Sequence, residues 1–360
     1  MGRWVAANNL RRPTSRRAND RVIVLMRAPE ASMDAFAGAM DNTSTHARPP
    51  LGAPDSMSVD ILYIAGFGRS GSTILGNVLG QMDGFAHLGE VRQIWRALLD
   101  ASTRCGCGVR MHECPFWRGV VATAFGEAGI DADAAQQKLE RSMKMRHLPG
   151  LLWHRDRMHR GPLGEYLAVS EKLYEAMWRA SGKQTLIDSS KVPSYGIALK
   201  QMRGVKVYML HLVRDPRGAA YSWSRQKYQP DGTASFVRKQ SAQSSLIWMA
   251  WNAAIEAFKS KTDGYLRIRY EDFVVDPAAE IQRILAMLGR TASSLPMVAQ
   301  QEVFLRAQHT IGGNPDRFRI GRVEIQPDDA WKREMAASSK FAVTALTGPL
   351  LVKYGYPLTT

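Results

Sequence analysis

The sequence predicts an α/β fold, a parallel sheet flanked by helices with a helical insertion, and three observations predict it. Ile61 to Ala65 is a short apolar run that enters a Gly/Ser turn and leaves it on an apolar helical pattern of Ile74, Leu75, Val78 and Leu79. Val205 to Val213 is a β-branched run of the kind found in strands buried on both faces. One predicted strand after another ends in charged or hydroxyl residues, where parallel sheets place their ligand sites.

The chain has 360 residues, 45% of them hydrophobic, which is enough for one large α/β domain or two small ones. Lys+Arg number 48 against 33 Asp+Glu, a formal charge of +15. Such a surplus suits an anionic ligand, nucleic acid or an acidic membrane face, and composition does not choose among them. No apolar run approaches the roughly eighteen residues of a membrane span, so no integral membrane segment is expected. Three cysteines make no disulfide framework, and the cytoplasm is the expected compartment.

Residues 1–57 read as a disordered N-terminal extension and 58–360 as the domain. Arg11-Arg12-Pro13-Thr14-Ser15-Arg16-Arg17 is basic, and Val22 to Met26 is too short for a signal-peptide core. Asn42 to Ser56 is rich in Ser, Thr, Pro and Gly, and Met57 offers an alternative start.

Gly66 to Thr73 fits the phosphate-loop pattern G-x-x-x-x-G-K-[ST] except that Ser72 stands at the lysine position. A strand, a Gly-rich loop and a helix start aim backbone amides and a helix N-terminus at an anion. Losing the lysine that serves the β/γ-phosphates argues against triphosphate chemistry, and the positive charge sits earlier, at Arg69. The bland alternative is a turn that merely connects a strand to a helix.

Phe85 to Arg92 reads as a short strand and turn at the same end of the sheet. Glu90 and Arg92 interrupt an apolar neighbourhood, although surface residues would do the same, and His87 reads as a packing residue. Cys105, Cys107 and Cys114 are spaced C-x-C-x₆-C without a second close pair. They read as a tight loop of buried or paired thiols, with no metal expected. Pro115-Phe116-Trp117 anchors that loop to the core.

From about 131 to 180 the pattern is helical, with Leu163, Tyr166, Leu167, Leu173, Tyr174 and Met177 at helical spacing. Its basic part, Met143 to Arg160 with His147, His154 and His159, either caps a site or forms a layer with a solvated face. Thr185 to Ile187 is a strand ending at Asp188-Ser189-Ser190-Lys191, and Val205 to Val213 ends at Arg214-Asp215-Pro216-Arg217-Gly218. A helix carrying Tyr221, Ser222 and Trp223 follows; Arg214 could simply pair with Asp215 at its start. Ser244 to Lys259 is an amphipathic helix whose Trp248 and Trp251 read as core. Tyr265 to Tyr270 alternates as a strand ending at Glu271-Asp272, and Ala278 to Leu288 is a helix closed by Gly289. His309 to Arg319 is a ligand-closing loop or a connector. A final helix, Asp328 to Tyr354, is expected to dock Trp331, Phe341, Val343 and Leu346.

The first loop, together with a strand ending Arg-Asp-Pro-Arg-x₄-Ser, resembles the sulfotransferases that use 3′-phosphoadenosine 5′-phosphosulfate (PAPS). The resemblance implies that Gly68, Arg69, Ser70, Gly71, Ser72 and Thr73 hold the 5′-phosphosulfate. It implies that Arg214 and Ser222, eight positions on, grip the 3′-phosphate. Tyr270-Glu271-Asp272 is similar to the segment whose tyrosine approaches the adenine, and Asn314-Pro315-x-Arg317-Phe318 to the late basic loop over the nucleotide. Cytosolic phenol-type members use Lys in the first loop and a His base, and this chain has neither. It looks closer to the Golgi tyrosylprotein and carbohydrate types, and closest to bacterial members with a Cys-x-Cys-Gly loop and an Asp-Ser-Ser-Lys strand end. Gly89-Glu90-Val91-Arg92 matches the tyrosylprotein turn that supplies the base, making Glu90 the expected base and Arg92 a substrate-binding residue. Lys191 fits the further catalytic lysine. Ile74 stands where phenol-type members stack an aromatic on adenine.

The chemistry is consistent with these residue types. A partly buried carboxylate can take the proton of an acceptor hydroxyl, and Arg69, Lys191 and the loop amides can meet charge developing on the leaving phosphate. Fixed cations stand where other phosphate enzymes hold a metal. The expected reaction is PAPS-dependent sulfation of a hydroxyl on a small metabolite, carbohydrate or lipid, giving PAP and a sulfate ester, with no nucleic-acid partner. The rivals are a P-loop nucleotide or small-molecule kinase, against which Ser72 counts, and a non-catalytic nucleotide-binding protein.

Overall fold

The computed structural model describes residues 23–24, 58–153, 159–225, 240–292 and 294–359. The expectation of a disordered extension over 1–57 falls almost wholly outside these residues, as does His154. In chain order the elements begin with β1 (Ile23–Val24), β2 (Val59–Ala65), α1 (Ser72–Leu79), β3 (Phe85–His87), α2 (Ile94–Leu99) and α3 (Pro115–Phe125). There follow β4 (Ile130–Asp131), α4 (Ala132–Ser142), α5 (Leu148–Trp153), α6 (Gly161–Ser181), β5 (Thr185–Lys191), α7 (Pro193–Leu199) and β6 (Val205–Val213). The remainder comprises α8 (Pro216–Ser224), α9 (Ser241–Phe258), β7 (Gly264–Arg269), α10 (Tyr270–Val275), α11 (Pro277–Met287), β8 (Met297–Ala299), β9 (Glu302–Leu305), β10 (Gly321–Glu324), α12 (Ala330–Glu334) and α13 (Ala337–Lys353).

The central sheet is parallel throughout, in the order β3-β5-β2-β6-β7. Side chains alternate across a strand, so β2 feeds two cores at once. Ile61, Tyr63 and Ala65 pack with Leu186, Val207 and Met209 against α3, α6 and α7. Leu62 and Ile64 pack with Ile187, Leu210 and Leu212 against α1 and α11. Burial on both faces explains the near-continuous apolar runs of β2 and β6. The chain steps from β2 outward to β3, returns to β5 and then crosses to β6. The reversal beside β2 opens a crevice at the carboxyl ends of β3, β5, β2 and β6, which positions the site.

The helical insertion is present as α4, α5 and α6, with α6 packed on α3 and α4. None of its described residues lines the crevice, which favours the layer over the cap. β1 pairs antiparallel with β4, joining Ile23 and Val24 to Asp131 and Ile130.

Four features differ from, or add to, what the sequence suggested. A three-stranded antiparallel sheet, β8-β9-β10, was not foreseen; Val303, Leu305 and Val323 fasten it to the α1/α11 core. Tyr270 opens α10 instead of ending β7. The final helix breaks at Met335–Ala336 into α12 and α13, and Phe341 is 76% exposed with Leu346 also exposed. The buried stripe of α13 runs through Val343, Thr347 and Leu351 at four-residue spacing, and neither residue falls on it. Asp215 pairs with Arg217 (2.7 Å), not with Arg214. Among the described residues no helix is long and apolar enough to cross a membrane.

Candidate active site

A cavity of about 610 Å³ lies at the carboxyl ends of the central strands, within the range of roughly 300–1,000 Å³ common for small-molecule sites. Its wall includes Gly68, Arg69, Gly71, Ser72, Thr73, Ile74, Glu90, Arg92, Lys191, Asn314 and Arg317, residues from four separate stretches of the chain. Arg69, Arg92, Arg104, Lys191 and Arg317 outnumber the lining acids Glu90, Asp100 and Asp316, so the cavity favours an anion.

The loop after β2 is built as its sequence requires. Gly71 caps α1 at φ 85°, and a Cβ there would lie 2.5 Å from the Tyr270 ring. No side chain caps α1, so the first-turn amides of Ser72, Thr73 and Ile74 lack the intrahelical acceptors that later amides have, and all three residues line the cavity. Arg69 (φ 73°) and Lys191 (φ 69°) are the non-glycine residues with left-handed backbone among those described. Side chains resist that conformation, and it persists where surroundings over-determine it, often at functional sites. Both are cations nominated from the sequence.

Lys191 owes its placement to β5. Tyr63 faces Asp188 but Ala65 faces Lys191, so β5 carries one extra residue, a bulge. Asp188 holds the bulge: fully buried, it accepts from the Ser190 amide (2.8 Å), Ser190 Oγ (2.5 Å) and Tyr174 Oη (2.5 Å). Burial pushes its carboxyl up to about 6, against those hydrogen bonds. Ser190 Oγ in turn accepts from the Arg92 amide (3.0 Å). Lys191 Nζ thereby reaches the Glu90 carboxylate at 2.5 Å and the Ser189 carbonyl at 2.8 Å. Glu90 also accepts from Gln93 Nε2, and its amide donates to the Ile311 carbonyl (2.6 Å). Glu90 and Lys191 side chains are 15% and 13% exposed, and both line the cavity. The basic partner of Glu90 is therefore Lys191, and no ion pair joins Glu90 to the neighbouring Arg92 among the described residues.

Arg214, Ser222, Tyr270 and Ser70 lie behind the wall. Arg69 Nε donates to Ser222 Oγ (3.0 Å), and Arg214 Nη1 donates to the Arg69 carbonyl (2.9 Å). Burial brings the Arg69 guanidinium down to about 10; Asp316 opposes the fall and Arg214 adds to it. Arg214 also meets Asp328, through Nη2 to its carbonyl (2.8 Å) and carboxylate (3.2 Å), and Arg225 reaches the same carboxylate at 3.5 Å. Its guanidinium lies 4.6 Å over the Tyr270 ring, whose hydroxyl accepts from the Asp328 amide (3.3 Å). Asp328 thus sits where two arginines converge. Sequence reasoning missed it, and Gln93 and Asp316 with it: Asp328 lies outside any motif, Asp316 stands at the variable position of the 314–318 motif, and Gln93 follows the 89–92 turn.

Ser70 Oγ, Arg92 Nε, Arg317 Nε and Asn314 Oδ1 are buried without a hydrogen-bond partner among the described residues. The first three are donors, a set that an anion with several oxygens would satisfy. At the other side Phe67, Trp223, Ile247 and Trp251 form an apolar wall, with Phe67 6.0 Å from each indole and Trp223 Nε1 bonded to the Gly68 carbonyl (3.1 Å). Trp251 therefore faces the cavity, while Trp248 is core as expected.

His87 is a packing residue, bonded to Asn77 Oδ1 and Ser189 Oγ (both 3.2 Å) and pushed down to about 3 by burial. The cysteines are not paired with one another as disulfides. They gather around His309, brought from 195 residues beyond Cys114.

The model of a family described as "Sulfotransferase family" matches residues 62–294. Among solved structures, the sulfotransferase domain from the Synechococcus PCC 7002 olefin synthase is similar at 21% identity and a TM-score of 0.44, over 84% of this chain and 98% of that one. Sulfotransferase STF9 from Mycobacterium avium is similar at 13% identity and a TM-score of 0.38, over 85% of this chain and 78% of that one. No curated protein matches the chain.

Proposed function

The chain belongs to the sulfotransferase family, and from that premise we propose that it transfers a sulfuryl group from PAPS to a hydroxyl of a small metabolite, carbohydrate or lipid, releasing PAP. The observation that carries the proposal is the convergence of a carboxylate, Glu90, with two strained cations, Arg69 and Lys191, on uncapped helix amides.

PAPS, when bound, supplies an activated sulfuryl group whose S–O bond to phosphate is the one broken. Gly68 to Thr73, with Arg69 and the unpartnered Ser70 hydroxyl, would hold its 5′-phosphosulfate. Arg214 and Ser222 would take the 3′-phosphate in place of Asp328 and Arg69. Ile74 and Tyr270 would border the adenine, and Asn314 and Arg317 would close over the nucleotide. Glu90 accepts the acceptor's proton as the acceptor oxygen bonds to sulfur. Lys191 leaves Glu90 for the bridging oxygen, where it and Arg69 meet the charge released by S–O cleavage. Arg92 orients the acceptor, and the aromatic wall of Phe67, Trp223 and Trp251 takes its apolar part.

Turnover of labelled PAPS with a panel of hydroxylated metabolites tests the reaction. Melting with PAP, ADP and AMP tests the site. PAP at about a hundred times its dissociation constant should add roughly 2.7 kcal/mol. No transfer to any acceptor, together with equal shifts for PAP and AMP, would remove both the reaction and the 3′-phosphate site.

A further inference from the structure

Cys105, Cys107, Cys114 and His309 lie outside the chemistry described above. Their ligand atoms all fall within 4.8 Å of one another. Cys107 Sγ stands 3.8 Å from Cys114 Sγ, and His309 Nδ1 stands 3.7 Å from Cys105 Sγ and 3.3 Å from Cys114 Sγ. A tetrahedral zinc ion with Zn–S of about 2.3 Å and Zn–N of about 2.0–2.1 Å spaces its ligands about 3.8 Å apart for two sulfurs and about 3.6 Å for sulfur and nitrogen. These three contacts lie within about 0.3 Å of those edges, and the Cys107–Cys114 separation exceeds the S–S distance of about 2.05 Å in a disulfide.

The backbone supports a knuckle. The Cys105 amide donates to the Val109 carbonyl and the Gly108 amide to the Cys105 carbonyl (both 2.8 Å), so the loop turns back on itself around Cys107. Phe116 stacks on the His309 ring, centroids 4.8 Å apart and planes 5° from parallel, fixing the plane of the imidazole. Cys105 and Cys114 are fully buried, while Cys107 and His309 are partly exposed. Three soft thiols and an imidazole are a closed Cys₃His set, the donor chemistry of structural zinc.

We propose that Cys105, Cys107, Cys114 and His309 bind one structural zinc ion that staples the two walls of the active-site cavity together. The first wall holds Thr103 and Arg104, and the second runs from Gly312 to Phe318. The two walls also meet through the Gly106 amide on the Thr310 carbonyl (2.9 Å) and Arg317 Nη2 on the Arg104 carbonyl (3.1 Å). The same segment carries Ile311, whose carbonyl accepts the Glu90 amide. The staple thereby holds the backbone on which Glu90 is mounted.

The test is metal analysis of the full-length protein, made in zinc-supplemented medium and purified without chelator. About one zinc per chain is expected, released when thiols are blocked by a mercurial and detected by a chromogenic chelator. Cobalt(II) should replace it and show thiolate charge-transfer and tetrahedral ligand-field bands. Cys107→Ser and His309→Ala should each weaken zinc retention against a competing chelator by at least about tenfold and lower the melting temperature. Wild-type protein with no bound zinc and three freely titrating thiols would overturn the site. So would a Cys107–Cys114 disulfide in metal-free protein, or zinc retained equally by both variants. Zinc content and sulfuryl transfer are separate readouts, so the metal site and the transfer chemistry can fail independently.

Discussion

Glu90 accepts hydrogen bonds from Lys191 and Gln93, and this double contact sharpens its two possible roles. As base it must give a lone pair to the acceptor's proton; as a structural partner it need only hold Lys191. Glu90→Gln keeps the shape and cannot take the proton. Turnover should fall roughly 10²–10⁴-fold, with PAP affinity and melting temperature near wild type, as steady-state kinetics and calorimetry would read. A variant retaining more than about a tenth of the activity would end the assignment. Arg214 raises a parallel question, since it already supports the Arg69 carbonyl and Asp328. Arg214→Ala should weaken PAP by about 1.5–3 kcal/mol, the worth of a charge-assisted contact, while AMP binding changes far less. Equal losses for the two nucleotides would make Arg214 purely structural.

The turn between β3 and α2 is the element on which the base depends. Gly89 has φ 76°, and a Cβ there would stand 2.4 Å from the Ile311 carbonyl oxygen. Gly182, at the end of α6, has φ 60° with nothing within 4 Å of such a Cβ. Gly182→Ala should therefore cost about 1–2 kcal/mol, the left-handed penalty alone. Gly89→Ala should cost more, because it also forces β3 from the 309–313 segment, and it should lower turnover with it. Chemical denaturation of both variants, with turnover measured alongside, checks the difference; equal costs would mean that the turn tolerates displacement. The bulge in β5 works in the same way, setting Lys191 through Asp188 and Ser190.

At the scale of the whole molecule, stability should fall on mild acidification. Burial holds the His87 imidazole down to about 3 and that of His211 to about 4, against about 6.5 for a free histidine. Below that value the unfolded chain takes up protons that the folded chain refuses, so these contributions are present above about 6.5 and decline as pH falls. Asp188, raised to about 6, works the other way, since the folded chain then holds a proton that the unfolded chain releases down to about 3.8. The two histidines set this loss, and Asp188 together with Glu271, whose carboxyl burial also raises, offsets part of it. Urea unfolding across pH 4–7 measures it, and a flat or rising profile on the acid side would contradict the burial of these groups.

Local chemistry made much of this legible in the sequence. Gly71 can adopt φ 85° at a helix cap, and β6 is apolar throughout because both faces are covered, so the first loop, the parallel sheet and the strand-end polar residues could be read directly. The family motifs carried Glu90, Lys191 and Arg214 to one end of that sheet. Tertiary structure alone decided what each of them touches. Glu90 to Lys191 spans 101 residues and Arg214 to Asp328 spans 114, and no spacing rule reaches across such distances. His309 is the clearest case: the cysteine loop looked incomplete because its fourth member arrives from a segment 195 residues away. The exposed face of α13 and the antiparallel β8-β9-β10 sheet were hidden for the same reason. Which face of a helix is covered, and which short segments pair, depends on what packs against them and not on their own residues.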